Sequence, residues 1–150
     1  ADRPFYIEPG GVSYGGPDNW AAALGMAALV EGLAGVKNDG LAFDKVTIAP
    51  RWSSDSVDSV QVAIHFPASN GYVAYQYTHS RSRREIYVLA TGSGNELKGH
   101  ILLPVEALSD VSVTSNGIML PSVISTMENS RYVDFTVPLK NVQQIVIKYD

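Results

Sequence analysis

The sequence predicts a mainly β protein: an antiparallel β-sandwich of about eight or nine strands, preceded by one buried N-terminal helix. Three observations support this fold class. Apolar and polar residues alternate over most of the chain after residue 57, as they do in half-buried strands. These segments recur about every 8 to 14 residues between Gly, Asn and Pro, which favours a sandwich over a parallel α/β sheet. The only long helical pattern lies before residue 35.

The predicted helix is unusually apolar. Gly16 can act as the N-cap, Pro17 has the backbone angle of a first helical residue, and Asp18 places a negative charge at the positive end of the helix dipole. Residues 20–30 include no charged residue, so the apolar surface runs right round the helix. Because this run is shorter than the roughly 20 residues that cross a bilayer, we expect a helix buried between protein layers.

A turn and a strand follow the helix. Gly32 or Gly35 suits the helix C-terminus, and Asn38-Asp39-Gly40 predicts a tight turn. The next strand is predicted over residues 43–49, where Pro50 ends it.

The rest of the chain predicts short strands only. Alternating side chains and turn signals such as Asn70-Gly71 and Asn116-Gly117 define their limits. These strands are predicted over residues 60–66, 72–79, 85–91, 99–103, 111–114, 118–120, 131–137 and 143–149.

Residues 35–52, GVKNDGLAFDKVTIAPRW, carry a family resemblance. A helix end at Gly35, a turn at Asp39-Gly40, a strand over 46–48 and Pro50 closely followed by Trp52 form its pattern. The segment resembles six-hairpin (α/α)-barrel glycosidases and the related disaccharide phosphorylases, at the point where the last barrel helix passes into the closing β-sheet region. The resemblance implies the C-terminal part of a carbohydrate-active enzyme, a glycoside hydrolase of bacterial type whose catalytic acid and base lie upstream.

We expect residues 1–150 to form a single domain, because a chain of this length buries enough surface to fold alone. Within it, residues 1–52 supply a loop, the helix and a connecting strand, and residues 53–150 form the sandwich body. The resemblance implies that the first part packs on an upstream barrel domain. It also implies an extracytoplasmic location, in the periplasm or secreted.

Composition excludes several classes of partner. The net charge is −4 and charged residues make up 17% of the chain, which does not favour binding to nucleic acid or to acidic lipid. We read the basic run 81–84 as a solvated hairpin tip. There is no cysteine, so neither a disulfide framework nor a thiolate metal site is available.

No catalytic residue stands out. The chain lacks a G-x-S-x-G nucleophile motif, and His65, His79 and His100 have no metal-ligand spacing, so we expect them packed or hydrogen-bonded on sheet faces. Asp18 and Asp39 are explained by the helix start and the turn. We therefore predict no catalytic residue, no metal and no cofactor, and an independent small hydrolase is disfavoured.

Contact with carbohydrate makes a smaller demand, since it needs exposed rings and a few planar polar groups. The alternative for the two Trp residues is burial between helix and sheet, and for the Tyr residues it is core packing across strands. The candidate contacts are Tyr14, Asn19, Trp20, Arg51, Trp52, Tyr75 and Tyr77.

Two functions follow as expectations. The first is an accessory, non-catalytic C-terminal β-sandwich domain of a carbohydrate-active enzyme, with the upstream catalytic barrel of the same precursor as its partner. It predicts an exposed apolar patch around residues 20–30 when the chain stands alone, or burial of that patch in a homo-oligomer. The alternative is a stand-alone carbohydrate-binding sandwich that uses the Tyr face or Trp52 as a platform for an oligosaccharide.

Overall fold

The computed structural model of the protein describes residues 19–54 and 57–150. The fold is mainly β, with two sheets whose inner faces share one hydrophobic core. The eleven strands are β1 Val36–Asn38, β2 Lys45–Ile48, β3 Ser59–His65, β4 Tyr72–Ser80, β5 Glu85–Gly92, β6 Glu96–Leu102, β7 Val111–Ser115, β8 Ile118–Met119, β9 Val123–Met127, β10 Ser130–Pro138 and β11 Gln143–Tyr149.

The predicted fold class is confirmed. One sheet has five strands in the order β1-β2-β6-β10-β9, and the other has six in the order β3-β4-β5-β11-β7-β8. Neighbouring strands are antiparallel, except that β2 and β6 pair in parallel with Val46 opposite Leu97. The parallel pair arises because β3, β4 and β5 lie between β2 and β6 in sequence but belong to the other sheet.

Two strands are absent from the sequence prediction. Strand β1 has only three residues and ends at Asn38, a residue typical of turns. Strand β9 is an edge strand whose side chains are mostly exposed, so it lacks the alternation that marks a half-buried strand. Both strands owe their pairing to a neighbour, β2 and β10 respectively.

The predicted start of the second strand is wrong by two residues. Leu41–Phe43 form a short 3-10 turn, in which Ala42 and Phe43 have φ angles of 51° and 64°. The Asn38 side-chain oxygen accepts a hydrogen bond from the Phe43 backbone N–H at 3.0 Å. This turn places the buried Phe43 ring against Phe66, with ring centroids 4.7 Å apart. Burial of the ring therefore offsets the unfavourable backbone angles.

Helix α1 spans Asn19–Ala27 and continues as a π-helix over Ala28–Leu33, closed by the Ala34 N–H donating to the Leu29 carbonyl. Gly35 follows with φ +65°, the left-handed conformation that often ends a helix. A Cβ at Gly35 would lie 2.0 Å from the Ala49 carbonyl oxygen, so this position requires glycine. The helix end is thereby held close to the strand that precedes Pro50.

The prediction that the helix is buried needs correction within this chain. All residues from 22 to 29 are exposed, and an added Cβ at Gly25 would meet nothing within 4 Å. The two sheets bury their inner faces against each other, and among the residues of this helix whose burial is described only Val30 packs on that core. The apolar patch expected around residues 20–30 of an isolated chain is exposed over residues 22–29, where Leu24, Met26 and Leu29 face solvent.

Candidate functional site

The Trp52 indole and the Tyr75 phenol form a buried hydrogen-bonded link. Trp52 Nε1 donates to Tyr75 Oη at 3.0 Å, and Tyr75 Oη donates to the Ala34 carbonyl oxygen at 2.7 Å. Burial raises the pKa of Tyr75 to about 12, although the hydrogen bond from Trp52 opposes this shift. The link joins the helix end, the turn after Pro50 and strand β4.

The inner face of β4 continues this buried row. Tyr77 is fully buried and its hydroxyl has no hydrogen-bond partner among the described residues, and burial raises its pKa. His79 is also buried, with Nε2 2.7 Å from Tyr149 Oη. Burial lowers the pKa of His79, so its neutral form is favoured.

The carbohydrate platform predicted on these rings is therefore wrong. Trp52, Tyr75 and Tyr77 retain 7%, 3% and 0% of their surface, which leaves no ring face for a sugar. The period-two pattern placed both Tyr residues on one face correctly, but that face turns inward. Core packing, the alternative, is what the structure shows.

The remaining candidate contacts are Arg51, Asn19, Trp20 and Tyr14. Arg51 is exposed and its backbone N–H donates to the Leu33 carbonyl oxygen at 3.2 Å. Asn19 and Trp20 lie in the first turn of α1, and Tyr14 lies outside the described residues.

A continuous apolar surface lies beside α1, and we call it the helix groove. The groove has a volume of about 490 Å³ and runs between the helix and β3, an edge strand of the six-stranded sheet. Met26 and Leu29 line the groove and expose 60% and 51% of their surface, and Leu24 of the same helix exposes 68%. Its apolar lining is formed mainly by Met26, Leu29, Val30, Val60, Val62 and Ile64.

A polar cluster lies on the outer face of the five-stranded sheet, and we call it the His100 site. His100 Nδ1 lies 2.5 Å from Asp134 Oδ1, and the Ser125 hydroxyl donates to Asp134 Oδ2. The His100 ring stacks on Tyr132, with centroids 4.1 Å apart and planes 10° from parallel.

Sequence reasoning did not identify this cluster as a site. The sequence predicts only that His100 is packed or hydrogen-bonded on a sheet face, and the structure confirms this. The partners of the ring, Tyr132 and Asp134, lie on β10, and Asp134 in turn binds Ser125 of β9. Asp134 is opposite His100 only through the register of β10 on β6. No local spacing carries that signal.

Two carboxylates between the helix and β2, Asp39 and Asp44, have hydrogen-bond partners within the fold. Asp39 accepts a hydrogen bond from the Thr47 hydroxyl, and Asp44 Oδ1 accepts one from Asn95 Nδ2 at 2.5 Å.

Within residues 19–54 and 57–150, no three side chains of metal-ligating type come together. In the same part of the chain, none of the helices has the length and apolarity needed to cross a membrane.

Comparisons with protein-family models and with curated proteins find no match to this chain.

Proposed function

We propose that this chain is a non-catalytic C-terminal β-sandwich domain of a carbohydrate-active enzyme, which docks on an upstream domain of the same protein through α1 and the helix groove. The observation that carries the proposal is the exposed apolar surface of α1. Leu24, Met26 and Leu29 project from a helix whose residues 22–29 have no cover among the described residues.

The energetics of this surface favour a protein partner. Full burial of a Leu or Met side chain contributes about 1.5 to 3 kcal/mol. The three side chains already named, together with Leu33 at 38% exposure, could therefore contribute several kcal/mol to docking. Clustered apolar surface of this kind marks interaction sites in soluble proteins.

The segment that resembles the glycosidases provides a rigid base for the helix. Gly35 packs directly on Ala49, and the Ala49 N–H donates to the Gly35 carbonyl oxygen at 2.7 Å. The Trp52–Tyr75–Ala34 link fixes the same helix end from the other side. A helix held in this way presents its apolar residues in a defined direction, as docking on a neighbouring domain requires.

The stand-alone carbohydrate-binding alternative has less support. It needs an exposed aromatic platform, and the rings chosen for that platform are in the core. Self-association through the helix groove is a separate outcome that the same experiment can detect.

The test compares amide hydrogen exchange over residues 22–33 in the isolated chain and in the longer protein with its upstream domain. We expect fast exchange in the isolated chain and strong protection in the longer protein, because docking covers the helix. Leu29→Glu should remove this protection in the longer protein. Leu108→Glu is the matched control, since Leu108 is 79% exposed and lies outside the groove.

Two outcomes would overturn the proposal. One is equal exchange over residues 22–33 in both proteins. The other is a stable dimer of the isolated chain in which the helix is already protected, measured by sedimentation and exchange together. That second outcome would assign the groove to a second copy of the chain.

A further inference from the structure

We propose that the His100 site binds a saccharide that carries a carboxylate group. The saccharide part of this inference rests on the proposed function, whereas the preference for a carboxylate rests on the site itself. The site is an open depression of about 580 Å³ on the outer face of the five-stranded sheet, and its lining does not overlap the helix groove. It includes Thr47, Lys98, His100, Val123, Asp134 and Thr136.

The His100 ring is held in one orientation. It stacks on Tyr132, and its Nδ1 faces Asp134, whose second oxygen accepts from the Ser125 hydroxyl. A carboxylate only accepts hydrogen bonds, so Nδ1 carries the proton and donates. The other ring nitrogen, Nε2, therefore accepts a hydrogen bond when the ring is neutral and donates one when the ring is protonated.

The second ring nitrogen is available to a ligand. Within the described residues, the hydrogen bonds of the ring involve Nδ1 only. The side chains of His100 and Asp134 expose 32% and 36% of their surface, so the pair is open to solvent.

Polar side chains of the adjacent row complete the site. Thr47, Lys98 and Thr136 lie level with one another on β2, β6 and β10. Lys98 is two residues before His100 on the same strand, so both side chains project from the same face. Among the described residues Lys98 forms no ion pair.

The polar groups of the site that have no partner indicate which kind of ligand it can bind. Both oxygens of Asp134 already accept hydrogen bonds from neighbouring side chains, so this carboxylate is engaged within the protein. Among the described residues, the groups left free are the Lys98 ammonium, the Thr136 hydroxyl and Nε2 of His100, whereas the Thr47 hydroxyl already donates to Asp39. An ammonium favours a carboxylate, hydroxyls pair with sugar hydroxyls, and Val123 offers an apolar contact to the sugar ring.

The test uses trigalacturonate as the probe and galactotriose as its neutral counterpart, with NMR of the histidine side chains in the full chain. We expect trigalacturonate to shift the His100 ring signals saturably and galactotriose to bind at least about tenfold more weakly. Lys98→Gln should weaken trigalacturonate binding by a similar factor. His65→Ala is the matched control, because His65 is exposed on β3 of the other sheet and should leave binding unchanged.

Several results would overturn the inference. These are the absence of any His100 shift with trigalacturonate, equal binding of galactotriose, or unchanged binding in Lys98→Gln. Lys98 is exposed and outside the hydrogen-bonded network, so this variant keeps the fold, and thermal unfolding verifies it. Exchange over residues 22–33 is read from another part of the molecule, so protection of the helix without binding at His100 would overturn this inference alone.

Discussion

At the residue scale, Tyr75 has the most informative contacts in the chain. Its hydroxyl receives one hydrogen bond from Trp52 and donates one to Ala34, and all of these groups are buried. Packing in the core therefore explains why a Trp residue, Trp52, follows soon after Pro50. Its indole N–H needs a buried acceptor, and Tyr75 supplies one.

We predict that Tyr75→Phe lowers the free energy of unfolding by about 1 to 3 kcal/mol, because it leaves the Trp52 N–H and the Ala34 carbonyl without partners. Urea unfolding followed by Trp fluorescence measures the change. Tyr87→Phe is the control, since Tyr87 is half-buried on the outer face of β5 and should change stability by less than about 0.5 kcal/mol. Equal effects in the two variants would contradict the assigned role of the link.

At the scale of elements, α1 differs from every strand of the core. The central strands, such as β4, β5 and β11, pair with neighbours on both sides and bury one face, whereas residues 22–29 of the helix are exposed. Its connection to the sandwich depends on the close contact at Gly35. Gly25, where an added Cβ would meet open space, and Gly35, which packs on Ala49, therefore have opposite roles.

We predict that Gly25→Ala stabilises the helix of the isolated chain by about 0.5 to 1 kcal/mol, because an alanine meets open space there and restricts the unfolded chain. Slower amide exchange over residues 22–33 measures this gain. Gly35→Ala is its counterpart: the φ angle of +65° and the 2.0 Å approach to Ala49 predict a destabilised fold. If Gly25→Ala and Gly35→Ala change stability in the same direction, the opposite roles assigned to the two glycines are wrong.

At the scale of the whole molecule, the core includes ionisable groups that are neutral. Burial raises the pKa of Tyr75 to about 12 and also raises that of Tyr77, whereas burial lowers the pKa of His79 below its usual 6.5. A folded state that holds these groups neutral is most stable where the unfolded chain holds them neutral too.

We predict a stability maximum between about pH 7 and pH 10. Below 6.5 the unfolded chain protonates residue 79 while the folded chain does not, so stability falls as pH decreases. Above 10 the unfolded Tyr residues lose protons while folded Tyr75 keeps its proton up to about 12, so stability falls as pH rises. Urea unfolding from pH 5 to pH 11 measures both limbs. Tyr75→Phe should reduce the alkaline slope and His79→Gln the acid slope, and unchanged slopes would contradict these assignments.

Much of the fold could be predicted because strands carry a local signal. The alternation over residues 60–66 and 143–149 located β3 and β11 to within a residue at each end. Strands β1 and β9 gave no such signal, since one is too short and the other is a mostly exposed edge. The His100 site could not be predicted because its residues meet only through strand register, and His100 and Asp134 are separated by 34 positions in the sequence.

The sequence by itself determined the fold class, the limits of most strands and the apolar character of the helix. These properties depend on residues that are close together in the sequence. The tertiary structure alone decided which face of β4 turned inward, so that Tyr75 and Tyr77 became core residues. It also decided that the sandwich closes on itself and leaves α1 exposed, because the packing of two sheets depends on contacts between residues far apart in the chain.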